Sequence, residues 1–267
     1  RNGSMCLSWA KSPTSMNPKR KGRAHVARKG KNPERREINP AVTRLSAATP
    51  FAITEAYKIV RTNLLYSLAS SKSKVVLMSS ALPNEGKSTT CANLAITMAQ
   101  TAARVLLIDA DLRKCTQHKI FKLNNSKGLS RLLVGFDTLT DALHQEVEPN
   151  LDIITAGPQP PNPSELLGSE NMAVLLNKLK EHYDLIIIDT PPINVVSDAL
   201  VLTSESAGVV LVARQKQTTY EELNKAIDSL RFAKANIAGV VLTGVREETK
   251  LGSYRAYKSY DYEYGKG

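Results

Sequence analysis

Ser80-Ala81-Leu82-Pro83-Asn84-Glu85-Gly86-Lys87-Ser88-Thr89 lies between a run of strand composition, residues 75–79, and a helical pattern, residues 88–102. A strand that runs into a Gly-Lys-Ser loop and then a helix is the setting of a phosphate-binding loop. Gly86 permits close backbone approach to a phosphate. Amide N–H groups and the positive end of the helix dipole face the anion, and Lys87 is long enough to reach the β and γ oxygens. Ser88 brings a hydroxyl that can ligate Mg²⁺. Asn84, Glu85, Gly86, Lys87, Ser88 and Thr89 are therefore the candidate nucleotide-binding residues. Ala81 stands where the first glycine of such a loop usually falls, and Asn84 stands where a glycine would relax the backbone.

Working outward, apolar runs of strand length alternate with helical patterns. Runs at 75–79, 105–109, 151–155, 185–189, 209–213 and 237–242 are continuous rather than alternating, as expected for strands covered on both faces. Helical patterns at 88–102, 164–183 and 219–234 lie between them. This order predicts an α/β fold, a P-loop three-layer sandwich with a mostly parallel sheet. Before it, Phe51, Ile53, Ile59, Val60, Leu64, Leu65 and Leu68 form an apolar stripe that predicts an amphipathic helix over 51–69.

Two further strand ends carry acid. Val105-Leu-Leu-Ile-Asp109-Ala-Asp111-Leu-Arg113-Lys114 places two carboxylates where a parallel sheet opens to ligand. Leu185-Ile-Ile-Ile-Asp189-Thr-Pro191-Pro192 delivers one Asp to the same edge, suited to a Mg²⁺ shell or a nucleophile.

The formal charge of +11 is concentrated at one end. Residues 1–36 hold eleven Lys/Arg against Glu34, which is +10, so the other 231 residues carry +1 and no nucleic-acid partner is expected. Residues 1–48, rich in Lys, Arg, Pro, Ser and Asn, are expected to be a basic disordered leader. Cys6, Cys91 and Cys115 are odd in number and have no C-x-x-C spacing, which argues against a disulfide framework or zinc site. No apolar run approaches the ~20 residues of a membrane span, and Arg1–Met5 opens no secretory signal. These features predict a cytoplasmic chain with a domain at 49–250. Past it, residues 251–267 form a tail. Tyr254, Tyr257, Tyr260, Tyr262 and Tyr264 are five of the nine tyrosines, in a segment with almost no aliphatic residue to bury them.

Together the 81–88 loop, the Asp109-x-Asp111-x-Arg113 strand end and the Ile-Ile-Ile-Asp189-Thr-Pro-Pro strand end resemble the three ATP-binding motifs of bacterial tyrosine kinases of capsular and exopolysaccharide synthesis. Gly157-Pro-Gln-Pro-Pro-Asn-Pro-Ser164-Glu165-Leu and the tyrosine-rich end are similar to that family too. The resemblance covers about residues 50–264. It implies an ATP- and Mg²⁺-dependent autokinase that phosphorylates its C-terminal tyrosines in trans within a ring, alongside other protein-tyrosine substrates and a cognate phosphatase. It implies that Lys87 neutralises phosphoryl charge, that Ser88 with Asp111 or Asp189 holds Mg²⁺, that Asp109 accepts or orients the tyrosine proton, and that Arg113 stabilises transition-state charge. The sequence does not separate Asp109 from Asp111. The family's ring contact appears as Glu55-Ala-Tyr-Lys58-Ile-Val-Arg61, with Lys58 in place of an arginine and without its bidentate fork. A chain without a span further implies the separate-polypeptide kind, recruited to the inner face of the plasma membrane by the cytoplasmic tail of a transmembrane activator.

Two rivals share the fold. A partition or septum-placement switch ATPase would carry a second lysine early in the loop, where this chain has Leu82-Pro83-Asn84, and would lack the tyrosine tail. A non-catalytic ATP-binding regulator of polysaccharide synthesis would have no need of Lys87, Asp109, Asp111 and Asp189 together. His25, His118, His144 and His182 show no ligand spacing, and Cys91 reads as a packed helix residue.

Overall fold

A computed structural model describes residues 6–10 (backbone only), 44–71 and 73–245. The tyrosine-rich tail and most of the basic leader lie outside the described residues. The strands are β1 (Cys6–Ala10), β2 (Val75–Ser80), β3 (Val105–Asp109), β4 (Leu143–Glu148), β5 (Leu151–Ile154), β6 (Leu185–Asp189), β7 (Gly208–Arg214) and β8 (Ile237–Val245). They form one sheet in the order β1-β8-β7-β2-β6-β3-β5-β4. The six central strands are parallel, and the edge strands β4 and β1 run antiparallel. The α/β sandwich with a mostly parallel sheet is thus the architecture observed.

Helices α1 (Phe51–Leu68) and α2 (Lys87–Ala99) flank β2, and the short α3 (Gln117–Phe121), α4 (Leu129–Leu133) and α5 (Leu139–Ala142) lie between β3 and β4. The later helices are α6 (Pro163–Leu167), α7 (Glu170–His182) and α8 (Tyr220–Phe232). Successive side chains of a strand point to opposite faces. A strand buried on both faces therefore calls for consecutive apolar residues, and β2, β3 and β6 supply them up to the polar residues at their carboxyl ends. Val75, Leu77, Leu106, Ile108, Ile186 and Ile188 enter one core; Val76, Met78, Val105, Leu107, Leu185 and Ile187 enter the other. The first core is roofed by α6, α7 and α8, the second by α1 and α2.

Four differences from the sequence reading have physical causes. Within the leader, Cys6–Ala10 pairs as β1 with β8, where the composition predicts disorder. The pairing covers backbone groups of β8 that an open sheet edge would leave unpaired. The helix expected over 164–183 is two helices, because Ser169 accepts a hydrogen bond from Met172 N–H and caps a fresh start. The polar edge strand β4 carries no apolar run to announce it. Along α1, Val60 and Leu64 are buried with Ala56 and Tyr57, and Ile53 and Leu68 pack partly, whereas Phe51, Ile59 and Leu65 are about half exposed (49, 52 and 51 %). The buried face is narrower than the apolar stripe.

Candidate active site

Register assembles the site. β6 lies between β2 and β3, with Met78 opposite Asp189 on one side and Asp109 directly opposite Asp189 on the other. Two carboxylates thus emerge on neighbouring strands, which run roughly 4.8 Å apart. β2 ends in the loop 81–86, and α2 begins at Lys87.

Within that loop the backbone turns left-handed twice, at Asn84 (φ 65°) and Gly86 (φ 88°). Asn tolerates this region better than most non-glycine residues, which accounts for Asn84. At Gly86 a Cβ would meet only the Thr243 side chain, at an ordinary 3.6 Å, so the backbone angle and not crowding calls for glycine. Glu85 turns inward. Its carboxylate accepts from Leu82 N–H at 2.9 Å and from the Thr218 hydroxyl, and Thr243 donates to its carbonyl at 2.6 Å. Burial pushes the Glu85 carboxyl up, against these donors. Its side chain braces the loop, so any phosphate contact at this position falls to the backbone. Ser88 and Thr89 sit in the first turn of α2.

Lys87 Nζ binds Asp189 Oδ1 and lies 3.5 Å from Asp111 Oδ2 and 3.3 Å from Ser88 Oγ. Burial pulls Lys87 down, but Asp189 and Asp111 outweigh it and hold it above its ordinary value, so it stays an ammonium. Asp109 Oδ2 accepts from Thr116 N–H (3.0 Å) and Gln117 N–H (2.9 Å), and Oδ1 from Asp111 N–H (3.2 Å). Burial and then the Asp189 charge push Asp109 up to about 7, against those amides and Lys87. Burial also raises Asp111, with Lys87 opposing. Asp111 Oδ1 accepts from Lys114 N–H at 2.9 Å.

Arg113 is paired away from the Lys87 cluster. Its guanidinium forms a two-point pair with the buried Asp198, Nε–Oδ2 at 2.8 Å and Nη2–Oδ1 at 3.1 Å, so its fork is held beside the site. The α1 motif divides as well. Lys58 bonds Glu55 at 2.7 Å on the helix surface, while Arg61 Nη1 donates to the Thr97 carbonyl of α2 at 2.9 Å. Sequence reasoning missed Gln117, Thr218, Thr243 and Asp198, which lie far along the chain from the residues they hold, with no periodicity to flag them.

Three carboxylates around one ammonium leave −2 when all are ionised (1 − 3), a balance that suits a divalent cation. Among the described residues no three His, Cys, Asp or Glu form a cage. Mg²⁺ needs none, because it takes one or two carboxylates together with phosphate oxygens and water. Ser88, Asp111 and Asp189 fit that set.

A glycine-turned loop opening a helix at the carboxyl edge of a parallel sheet, with lysine and acids converging on it, defines a P-loop nucleotide-binding protein. Residues 73–238 match the AAA_31 family, described as an AAA domain. The chain is 41% identical over 208 residues to the tyrosine-protein kinase YwqD of Bacillus subtilis, covering 78% of this chain and 87% of that protein. It is 40% identical over 205 residues to the putative tyrosine-protein kinase CapB of Staphylococcus aureus, covering 77% of this chain and 90% of that one. Among solved structures, the kinase domain of Escherichia coli tyrosine kinase ETK superposes with a TM-score of 0.72 at 37% identity, covering 74% of this chain and 78% of that chain. The chain belongs to the bacterial tyrosine-protein kinase family, and it is a nucleotide-binding enzyme of that class. Membership sets aside both rival readings. Among the described residues, no helix is long and apolar enough to cross a membrane.

Proposed function

We propose that this chain uses MgATP to phosphorylate tyrosines of its own C-terminal cluster in trans, as part of the control of capsular or exopolysaccharide synthesis and export. The observation that carries this is the convergence of Lys87, Asp111 and Asp189, three motifs distant in sequence, on one edge of the sheet. Phosphoryl transfer asks little covalent chemistry of a protein and much positioning and charge neutralisation. Lys87 would exchange its carboxylate partners for β/γ oxygens, and Asn84, Gly86 and Thr89 would frame the phosphates with their backbone. Ser88, Asp111 and Asp189 would hold Mg²⁺, which neutralises developing charge when bound. The phenol oxygen forms the new bond to the γ phosphorus, the bond from that phosphorus to the β-bridging oxygen breaks, and ADP leaves.

Asp109 is our assignment for the phenolic proton. A carboxyl raised to about 7 is matched to proton transfer near neutral pH. Its oxygens are covered by the turn from Asp111 to Gln117, so that turn must move for a phenol to reach it. Tyr254, Tyr257, Tyr260, Tyr262 and Tyr264 are the proposed acceptors, in a segment outside the described residues. Self-association into a ring is supported by α1, where half-exposed Phe51, Ile59 and Leu65 flank the Glu55–Lys58 pair. A transmembrane activator that recruits the chain to the inner membrane face, further tyrosine substrates and a cognate phosphatase complete the proposal.

The test incubates the full chain with Mg²⁺ and γ-labelled ATP and reads phosphotyrosine. Label is expected on the wild type. A tail-deleted kinase lacking 254–267 should lose its own label yet mark a Lys87→Met full-length chain. Label that survives Lys87→Met alone, or that is unchanged by the deletion, refutes the proposal.

A further inference from the structure

Gln117 opens α3 and is fully buried. Its side-chain amide touches two of the three ATP motifs, and its backbone touches the remaining one. Nε2 donates to Asp189 Oδ2 at 2.7 Å and to the Ser88 carbonyl at 3.1 Å. Its N–H donates to Asp109 Oδ2 at 2.9 Å. Oε1 is buried with no hydrogen-bond partner among the described residues.

The orientation of this amide is fixed by chemistry. Both groups at Nε2 are acceptors, a carboxylate and a carbonyl. A flipped amide would set Oε1 against two oxygens, and the nitrogen alone can satisfy them. An unpaired buried carbonyl oxygen costs free energy, and it persists here because the other end of the amide has no alternative placement. The two oxygens of Asp189 are thus held from opposite sides, Oδ1 by Lys87 and Oδ2 by Gln117. Only one of these holds can last through nucleotide binding. Lys87 must turn to phosphate oxygens, whereas nothing in nucleotide chemistry calls on Gln117.

We propose that Gln117 is the positioning residue that keeps the Asp189 carboxylate aimed at Mg²⁺, at a fixed distance from the phosphate loop, when Lys87 moves from Asp189 to the phosphates. It acts through Asp189 and Ser88 and touches no reactant. Residues that orient a metal-binding carboxylate from behind typically change metal affinity or activity by ~10–100-fold when lost. The inference rests on Asp189 serving Mg²⁺, and its test can be read without any phosphotransfer.

The experiment titrates a fluorescent ADP into the full-length chain, once with Mg²⁺ and once with EDTA. Gln117→Met keeps the length and volume of the side chain and removes the donor; Gln117→Asn keeps the amide but falls one methylene short. The expected result is that both variants bind ADP in EDTA as the wild type does, while the tightening by Mg²⁺ falls by about 10-fold in Gln117→Met and by less in Gln117→Asn. A purely structural role would shift both titrations together, and that outcome overturns the proposal. So does an unchanged Mg²⁺ effect in either folded variant, or a wild type whose affinity ignores Mg²⁺. Failure of the wild type to label tyrosine would refute the kinase proposal and leave these titrations intact.

Discussion

Replacing Asp109 with Asn should make this protein more stable at pH 8 and inactive. Asp109 is fully buried and pushed up to about 7, chiefly by burial and then by Asp189. For an acid whose folded pKa lies above its unfolded value of 3.8, the folded state keeps a proton that the unfolded state has released. Stability is then unaffected below about pH 4, falls as pH rises through about 4 to 7, and levels off above, with a slope of at most about 1.4 kcal/mol per pH unit. Between pH 5 and pH 7 that is at most about 2.7 kcal/mol, and about 1–2 kcal/mol is expected. The introduced amide carries no charge. Its oxygen can still accept from Thr116 and Gln117 N–H, and only the contact to Asp111 N–H is mismatched. Urea unfolding in EDTA at pH 5, 6, 7 and 8 reads the difference directly. From pH 5 to pH 8 the stability difference should move by about 1–2 kcal/mol in favour of Asp109→Asn, roughly 2–8 °C in Tm for a domain this size. A pH-independent difference, or a variant less stable at pH 8, would show that the amides around Asp109 outweigh its burial. Retained tyrosine phosphorylation in Asp109→Asn would refute its assignment as proton acceptor.

Gly86→Ala should lose about 1–2 kcal/mol of stability, the cost of a left-handed angle for a residue with Cβ, with nucleotide affinity falling in fluorescent-ADP titration; because Thr243 leaves room for the methyl, an effect beyond about 3 kcal/mol would contradict the backbone explanation. Arg113→Ala strips Asp198 of its two-point partner and should lower stability by about 1–2 kcal/mol in thermal unfolding, the value of hydrogen bonds to a charged group discounted for the exposed arginine. Asp198→Asn should weaken the same hold while leaving the guanidinium in place. If Arg113 also stabilises the transition state, Asp198→Asn keeps its phosphotransfer rate and Arg113→Ala does not; equal rates in the two would confine Arg113 to structure.

What is legible in the sequence is what a strand or a loop announces locally. Continuous apolar runs at 105–109 and 185–189 declare strands covered on both faces, and both strands end where expected, each on an aspartate. Gly-Lys-Ser after a strand declares the loop. Sheet order is out of reach, because β6 enters between β2 and β3 through packing that no local pattern records. That insertion brings Asp189 opposite Asp109. The parts of the site that stay unread share one property: they act from a distance in sequence. Thr218 and Thr243 brace Glu85 across more than a hundred residues. Arg113 reads as free to act because Asp198, its partner 85 residues on, lies in an irregular stretch with no signal of its own. The apolar period overstates the buried face of α1, since Phe51, Ile59 and Leu65 fit it but remain half exposed.

Asp109 and Asp111 cannot be told apart from spacing, and the structure shows why the question is one of loop closure. The two carboxylates differ in what covers them. The chain after Asp111 turns back so that the amides of Thr116 and Gln117 close over Asp109, while Asp111 keeps Oδ2 towards Lys87. The turn that buries Asp109 also delivers the Gln117 side chain to Asp189 and to the Ser88 carbonyl. A single segment, 111–117, thus sets the protonation of one acid and the aim of another. Opening it far enough to admit a phenol to Asp109 would release the backbone amide of Gln117, and the side-chain amide must stay on Asp189 if that carboxylate is to remain on Mg²⁺. If Asp189 holds Mg²⁺ and Asp109 takes the phenolic proton as proposed, the segment has to pivot about Gln117 rather than lift away, which would tie access for the tyrosine to a carboxylate already in place.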